Sequence, residues 1–438
     1  MSLAAQPVRA AHAPTAPASI NGRLSLMMFL EFFAWGSWYA TVAVYMARVG
    51  MQDLTHWPFT VNPIAAIVAP FFLGFVADRF FPTERVLGVL HLLAAGTMLL
   101  VPRAAGNPTL FISLLLLYNL FFMPTLGLSN SLAFAHIRNQ EREFPRVRVF
   151  GTLGWIAAGL FVSFVLGRFV EGPAEATALP FYTAAAAGLV LGVYSFTLPH
   201  TPPRGAGSRA TVRGVLGVDA LSAPGSRPFY VFVLCSFLIC IPLAAYYNFT
   251  QLYLGAVGVR QIAATQTLGQ VSEVGFMLLM PFFFRRLGVK WMILVGMGAW
   301  VLRYVLFALG APDAVIWMVV AGIALHGVCY DFFFVTGQIY VDKKSTPEIR
   351  GQAQGLLVFI TYGVGMLIGA QIAGAAYNRF LSGGETLGLA QWQQFWWLPA
   401  AFALGVLVLF ALLFQDRVDP APTRAEAAAN VPTAAPAT

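Results

Sequence analysis

Ionisable side chains lie inside long apolar runs of this sequence. Glu31, Glu273, Arg303 and Asp331 each lie within such a run, and Arg148 lies at the start of another. A charged group at the centre of a lipid bilayer costs on the order of 2.5–3.5 kcal/mol on insertion scales, so it is retained where it meets a partner or a watery cavity. These five residues are therefore the first candidates for ligand binding, ion pairing or proton transfer.

Helical spacing brings polar and aromatic neighbours to these charges. Residues three, four or seven positions apart lie on one helix face, which groups Arg148 with Thr152 and Trp155, and Glu273 with Gln270. The other candidates on such faces are Tyr247, Asn248, Gln251, His326 and Tyr330. Rings stack, whereas amides and carboxylates bond hydroxyls and ring edges, so the set suits a neutral, hydroxylated, flat ligand.

Some of these positions also have structural interpretations. Trp35 and Trp38 are expected to be helix-packing or interfacial anchors rather than ligand contacts. Arg303 is expected to be structural, as the partner of a carboxylate. For His326 two interpretations stay open, a neutral ring bonded to a backbone carbonyl and a contact to a bound ligand.

Arg148 likewise has two interpretations. It is either one of the positive charges of its loop, or a cation that reaches inward and holds Asp331 ionised from across a cavity until a proton or ligand displaces it. A carboxylate of that kind can couple a proton to a ligand. Glu273 and Glu31 are the alternative proton carriers, and the sequence does not choose among the three.

The composition requires that helices in a lipid bilayer position these residues. Of 438 residues, 58% are hydrophobic and 10% are charged, against about 25% charged in soluble proteins. This excludes an ordinary soluble enzyme, because the apolar runs are long enough to cross a bilayer core of about 30 Å. The twelve expected spans of this all-α membrane protein are 24–46, 60–78, 86–104, 110–135, 148–170, 179–198, 228–254, 264–284, 291–309, 315–341, 351–377 and 393–415.

The net charge of +8 is explained by membrane topology. With the amino terminus in the cytoplasm, 20 Lys and Arg residues lie on the cytoplasmic side and 5 on the other. The positive-inside rule predicts this bias for a chain with both termini in the cytoplasm, so no nucleic-acid partner is expected. The three cysteines lie in apolar spans, and neither a metal site nor a cofactor is expected.

The spans divide into two groups of six. The expected organisation is a disordered cytoplasmic tail (1–22), a six-helix bundle (23–198), a central cytoplasmic loop (199–227), a second six-helix bundle (228–415) and a second disordered tail (416–438). A G-x-x-x-D-R pattern stands at the end of the second span, where Gly74 and Asp78 lie within the span and Arg79 follows directly. The glycine lets a neighbouring helix approach, and the charged pair is expected to contribute to gating between the bundles.

Several strings of residues resemble the bacterial nucleoside:proton symporters of the NupG and XapB type, in the major facilitator superfamily. The resemblance covers roughly residues 24–415. The strings, in the order of the family, are FLEFF (29–33), WGSW (35–38), MPTLGL (123–128), FPRVRVFGT (144–152), QVSE (270–273), PFF (281–283), WVLR (300–303), DFF (331–333) and RGQAQG (350–355).

The resemblance implies a major facilitator fold of two pseudo-symmetric six-helix bundles and proton-driven import of nucleosides by alternating access. It implies a multi-pass transporter of the bacterial inner membrane that contacts lipid, is a monomer and is not an enzyme. The residues to which it assigns substrate or coupling roles are Arg148, Thr152, Gln270, Glu273 and Asp331.

The sequence departs from the family pattern at several binding positions. Trp155 and Tyr330 replace expected phenylalanines, and His326 replaces an expected tyrosine. On the seventh helix the expected contacts fall near Ala244 and Tyr247, and the residues that could substitute are Asn248 and Gln251.

Two rival functions remain at this stage. The first is transport of another neutral polar solute, such as a sugar or glycoside. The second is a membrane-embedded enzyme or a receptor. An enzyme should show a nucleophile with a base, or a set of metal ligands, and the sequence contains neither pattern.

Overall fold

The structure, a computed structural model, describes residues 18–72, 80–138, 140–203, 227–345, 350–381 and 386–415. Every regular element in these ranges is helical. The gating residues predicted from the sequence, Gly74, Asp78 and Arg79, lie outside the described residues, as do most of the central loop and both tails.

The first six long helices precede residue 200. They are α1 (Ala18–Tyr39), α2 (Trp57–Phe72), α3 (Thr83–Leu100), α4 (Pro108–His136), α5 (Gln140–Leu160) and α6 (Leu179–Ser195). A short helix, Val42–Arg48, follows α1 after a turn, and a π-helical turn, Phe161–Val165, continues α5.

The last six long helices follow residue 226. They are α7 (Arg227–Ala256), α8 (262–287), α9 (289–310), α10 (Ile316–Lys344), α11 (350–380) and α12 (Leu389–Leu413). The helical run Ile262–Gly310 contains both α8 and α9, and Gly288 separates them with φ 66° and ψ 179°. Glycine adopts a positive φ without steric cost, so it can end one span and begin the next.

Most of these helices are long and apolar enough to cross a membrane. Eight helical runs in the described ranges meet that criterion, and the longest of them contains both α8 and α9. Leu179–Ser195 is a shorter apolar helix. Together with α1 and α2 they give twelve spans within the described residues, which confirms the predicted fold class.

Helices pack mainly within their own group of six. In the first group α1 packs against α5 and α6, and in the second group α7 packs against α11 and α12. Helices α1 and α5 approach each other very closely, so a Cβ atom at Gly154 would clash with the Phe29 carbonyl oxygen. The groups meet mainly where α5 packs against α8 and α2 packs against α11.

Six hydrogen bonds among the described residues join the two groups at one end of the bundle. We call this end, which contains Arg48, Glu175 and Arg260, the closed end. The six bonds join Gln251 to Ala43, Gln266 to Ala40, Glu175 to Ala263, Ser163 to Ala264, Gln371 to Thr60 and Asn378 to Asp53. The amino terminus of α1 lies at the opposite end.

Candidate functional site

A cavity of about 330 Å³ lies between the two groups of helices. This volume is within the range of roughly 300–1,000 Å³ that is usual for small-molecule sites. A larger cleft of about 540 Å³ between α2, α3 and α4 is apolar except for Arg85. The residues predicted from the sequence that line the cavity are Arg148, Thr152, Trp155, Tyr247, Gln270, Glu273, His326 and Tyr330.

Helix α5 contributes Arg148, Thr152 and Trp155 from one face, as the spacing predicts. The Arg148 guanidinium carbon lies 4.3 Å from the centre of the Phe32 ring. A Cβ atom at Gly151 would lie 2.5 Å from Nη1 of Arg148, so the absence of a side chain there makes room for the guanidinium. Arg148 is therefore a cation of the cavity and not merely a loop charge.

The first six helices supply an aromatic wall. The Trp35 ring centre lies 5.4 Å from that of Trp155 and 5.6 Å from that of Tyr39. The buried Trp35 Nε1 has no hydrogen-bond partner in the described structure. Trp35 was predicted to be a packing residue but lines the cavity, whereas Trp38 is buried and donates to the Tyr118 hydroxyl at 3.3 Å.

Helix α8 contributes the acid and the amide of the cavity. Glu273 and Gln270 lie one turn apart and both line it, and Arg148 lines the same cavity from the first group of helices. The buried Gln270 Oε1 has no partner among the described residues. The cavity thus offers a cation, an anion and unpaired donor and acceptor atoms.

His326 on α10 lies beside Glu273, with 3.9 Å between His326 Nε2 and Glu273 Oε2. On its other side, Nδ1 lies 3.2 Å from Nη2 of Arg303. The prediction that Arg303 pairs with a carboxylate is wrong for the described residues, because its side-chain partners are this histidine and the Gly322 carbonyl.

Two predicted coupling residues lie outside the cavity lining. Asp331 is fully buried at the start of a π-helical turn, and neither carboxylate oxygen has a hydrogen-bond partner in the described part of the chain. Glu31 is also fully buried, 3.8 Å from Nε2 of His91. Among the described residues no salt bridge joins Arg148 to Asp331, so the predicted pairing of these two groups is not observed.

Two predicted binding residues of α7 also lie outside the cavity lining. Asn248 is fully buried, and neither atom of its amide group has a partner among the described residues. Gln251 lies at the closed end, where its Oε1 accepts from the Ala43 amide at 3.1 Å. Of the three α7 candidates, Tyr247 alone lines the cavity within the described structure.

Several lining residues were not identified from the sequence. Tyr362 comes from a π-helical segment of α11, Phe359–Gly365, and Asn62 comes from α2, where it donates to Asn119 at 2.8 Å. Neither residue carries a charge, so the argument from the cost of burying a charge did not identify them. For Asn62 the sequence offers one local signal of a lining position, which is the neighbouring Pro63 in the same helix.

The fold and the cavity together define a membrane transporter of the major facilitator superfamily. The chain resembles the crystal structure of the nucleoside transporter NupG with a TM-score of 0.79 and 28% identity, covering 91% of this chain and 100% of the other. The chain belongs to the nucleoside H⁺ symporter family, whose family model matches residues 18–419.

Two relatives from Escherichia coli K12 extend this comparison. YegT is 39% identical over 403 residues, which cover 90% of this chain and 94% of YegT. Xanthosine permease is 31% identical over 429 residues, which cover 92% of this chain and 97% of the permease. The likeness therefore extends over nearly the whole length of each protein.

Proposed function

We propose that this protein imports nucleosides together with protons by alternating access. The observation that carries the proposal is that one cavity between the two groups combines Arg148, Glu273 and Gln270 with aromatic rings from both sides. Rings can stack on a nucleobase, while the acid, the amide and the cation can bond base edges and ribose hydroxyls. The relatives named for nucleosides and xanthosine support this ligand class over a sugar or glycoside.

We further propose the topology predicted by the charge bias, with both termini in the cytoplasm of a bacterium and two six-helix domains, 23–198 and 228–415. In that orientation the closed end faces the periplasm. We propose a monomer as the transporting unit, because residues of a single chain suffice to line the cavity.

Glu273 is the carboxylate that lines the cavity in the described residues, so it is our candidate for the acid that binds the substrate. Asp331 is our first candidate for the proton carrier, because both its carboxylate oxygens are buried without a hydrogen-bond partner among the described residues. A buried carboxylate without a partner is costly in its charged form, so proton uptake by Asp331 can follow changes at Glu273. Glu273 and Glu31 are the alternative proton carriers, and Glu31 is fully buried 3.8 Å from Nε2 of His91.

The direct test is uptake of uridine into proteoliposomes with an imposed proton gradient, with and without a protonophore. Accumulation that requires the gradient supports symport, and uptake indifferent to the gradient refutes coupling. Ribose and maltose in the same assay, and in a thermal-shift panel, test the ligand class. Stabilisation by these sugars but not by nucleosides would contradict the proposal.

Two variants separate binding from coupling. Asp331→Asn is expected to lose gradient-driven accumulation while it remains folded and still exchanges substrate across the membrane. Glu273→Gln is expected to raise KM as well, by about tenfold or more, because hydrogen bonds to a charged group contribute roughly 1.5–3 kcal/mol. Unaltered accumulation in Asp331→Asn assigns coupling to Glu273 or Glu31 instead.

A further inference from the structure

Arg303 on α9 is a fully buried cation with an unusual set of partners. Its Nε donates to the Gly322 carbonyl at 3.0 Å, and its guanidinium carbon lies 4.0 Å from the centre of the Tyr246 ring. Within the described residues no carboxylate lies within salt-bridge distance of it, and its buried Nη1 has no hydrogen-bond partner. Burying a cation without an acidic partner is costly, so we expect Arg303 to have a role that accounts for its position.

The third contact of Arg303 decides the tautomer of a cavity residue. A guanidinium carries only donors, so at 3.2 Å its Nη2 donates to Nδ1 of His326. That nitrogen therefore has no hydrogen of its own, and a neutral imidazole must then carry its hydrogen on Nε2. The 3.9 Å from Nε2 to Glu273 Oε2 is too long for a direct hydrogen bond, so both groups keep bonding capacity toward the cavity.

Two further sets of contacts hold His326 in place, one to its ring and one to the backbone on either side of it. The Tyr246 ring stacks on it with centres 5.6 Å apart and planes 18° apart. On the side of α8, the Ser272 hydroxyl donates to the Ala324 carbonyl and accepts from the Gly327 amide at 3.1 Å. Ser272 thereby joins the helix that carries Glu273 to the segment of α10 that carries His326.

We propose that Arg303 is a positioning residue that fixes His326 as the Nε2–H tautomer, so that His326 donates a hydrogen bond to an acceptor atom of the transported nucleoside. This inference rests on the proposed function and deepens it. The acceptor is a base carbonyl oxygen, a ring nitrogen with a free lone pair, or a ribose oxygen. Glu273 in its charged form accepts from a donor next to that atom, so the pair recognises adjacent acceptor and donor groups.

The first test is the tautomer itself, measured by ¹⁵N NMR on protein labelled at histidine nitrogens. The chain has six histidines, and the difference between wild type and His326→Gln assigns the resonances of His326. We expect an unprotonated Nδ1 and a protonated Nε2 in wild type and in Arg303→Lys, and a mixture of tautomers in Arg303→Met. A protonated Nδ1 in wild type overturns the proposal, whatever the variants do.

The second test is a double-mutant cycle on nucleoside uptake. Gln at position 326 carries an amide donor near the position of Nε2 that needs no tautomer to be set. Arg303→Met is expected to raise KM by about three- to tenfold in the wild-type background, as expected for one weakened hydrogen bond. It is expected to leave KM nearly unchanged in the His326→Gln background.

The outcomes separate this proposal from the proposed function. Equal increases in KM in both backgrounds mean that Arg303 acts through the structure of α9 and α10, and overturn the positioning role. Restoration of wild-type KM by Arg303→Lys supports that role. Absence of nucleoside uptake by the wild-type protein refutes the proposed function, whereas the NMR result stands without any substrate.

Discussion

Replacing Glu175 by glutamine is expected to weaken the closed end and shift the conformational equilibrium of the transporter. Glu175 lies in the loop between α5 and α6, and its side chain is almost completely buried. Its Oε1 accepts from the Ser163 hydroxyl at 2.6 Å and from the Ala263 amide at 3.0 Å. Ala263 is in the first turn of α8, so a carboxylate of one domain caps a helix of the other.

The magnitude follows from the type of these bonds. A hydrogen bond to a charged group contributes roughly 1.5–3 kcal/mol, and a neutral bond roughly 0.5–1.5 kcal/mol. A negative charge at a helix amino terminus typically contributes about 0.3–1 kcal/mol, and up to about 2 kcal/mol where it is partly buried. Glutamine keeps an acceptor of similar shape, so Glu175→Gln should destabilise the state with a closed end by about 1–1.5 kcal/mol. This is roughly a five- to tenfold change in the equilibrium constant between the closed and open states of that end.

The assay is a distance distribution between spin labels at positions 48 and 260, measured by pulsed electron paramagnetic resonance. Arg48 and Arg260 are exposed and lie in different domains at the closed end, and the three native cysteines are buried. We expect a larger population of long distances in Glu175→Gln. Glu171, exposed in the same loop, supplies the matched control Glu171→Gln. An unchanged distribution, or an equal shift in the control, refutes the capping argument.

Two further predictions concern stability. Gly154→Ala is expected to lower the thermal unfolding temperature, because the new Cβ would clash with the Phe29 backbone and overpacking costs about 1–3 kcal/mol. Gly96 has open space around it, so the control Gly96→Ala should leave the unfolding temperature unchanged. Equal effects of the two substitutions would contradict this account. Burial lowers the pKa of the His56 imidazole, which lies outside the spanning helices, and Asp53 offsets this in part. The unfolded chain therefore binds a proton at His56 more readily than the folded protein does. The neutral His56 contributes to stability above about pH 6.5, and this contribution is lost in acid. The unfolding temperature of wild type should fall more steeply than that of His56→Gln between about pH 7.5 and about pH 5, and parallel curves would show that His56 is not responsible.

The sequence predicted the residues of the cavity best where chemistry and helical periodicity coincide. Arg148, Thr152 and Trp155 share a face because their spacing of four and three residues requires it in any helix. Glu273 was identified because an acid in an apolar span is costly unless it has a function. Both arguments use one helix at a time, and both predicted lining residues correctly.

Contacts between helices were less accessible to the sequence. Spacing could not show that Arg303 meets His326 rather than an acid, or that Trp35 faces the cavity while Trp38 packs. These outcomes depend on how each helix is rotated about its axis against its neighbours. The uncharged Tyr362 and Asn62 carried no sequence signal strong enough to separate them from other residues of their spans.

The amino-acid sequence by itself determined the membrane class, the number of spans, the bias of positive charge and the ionisable groups in the spans. These follow from transfer free energies that act on each segment separately. Only the tertiary structure decided that Glu273 faces the cavity while Asp331 and Glu31 lie outside its lining, and that Glu175 caps α8. The physical reason is that these relations join distant segments, and packing between helices fixes them.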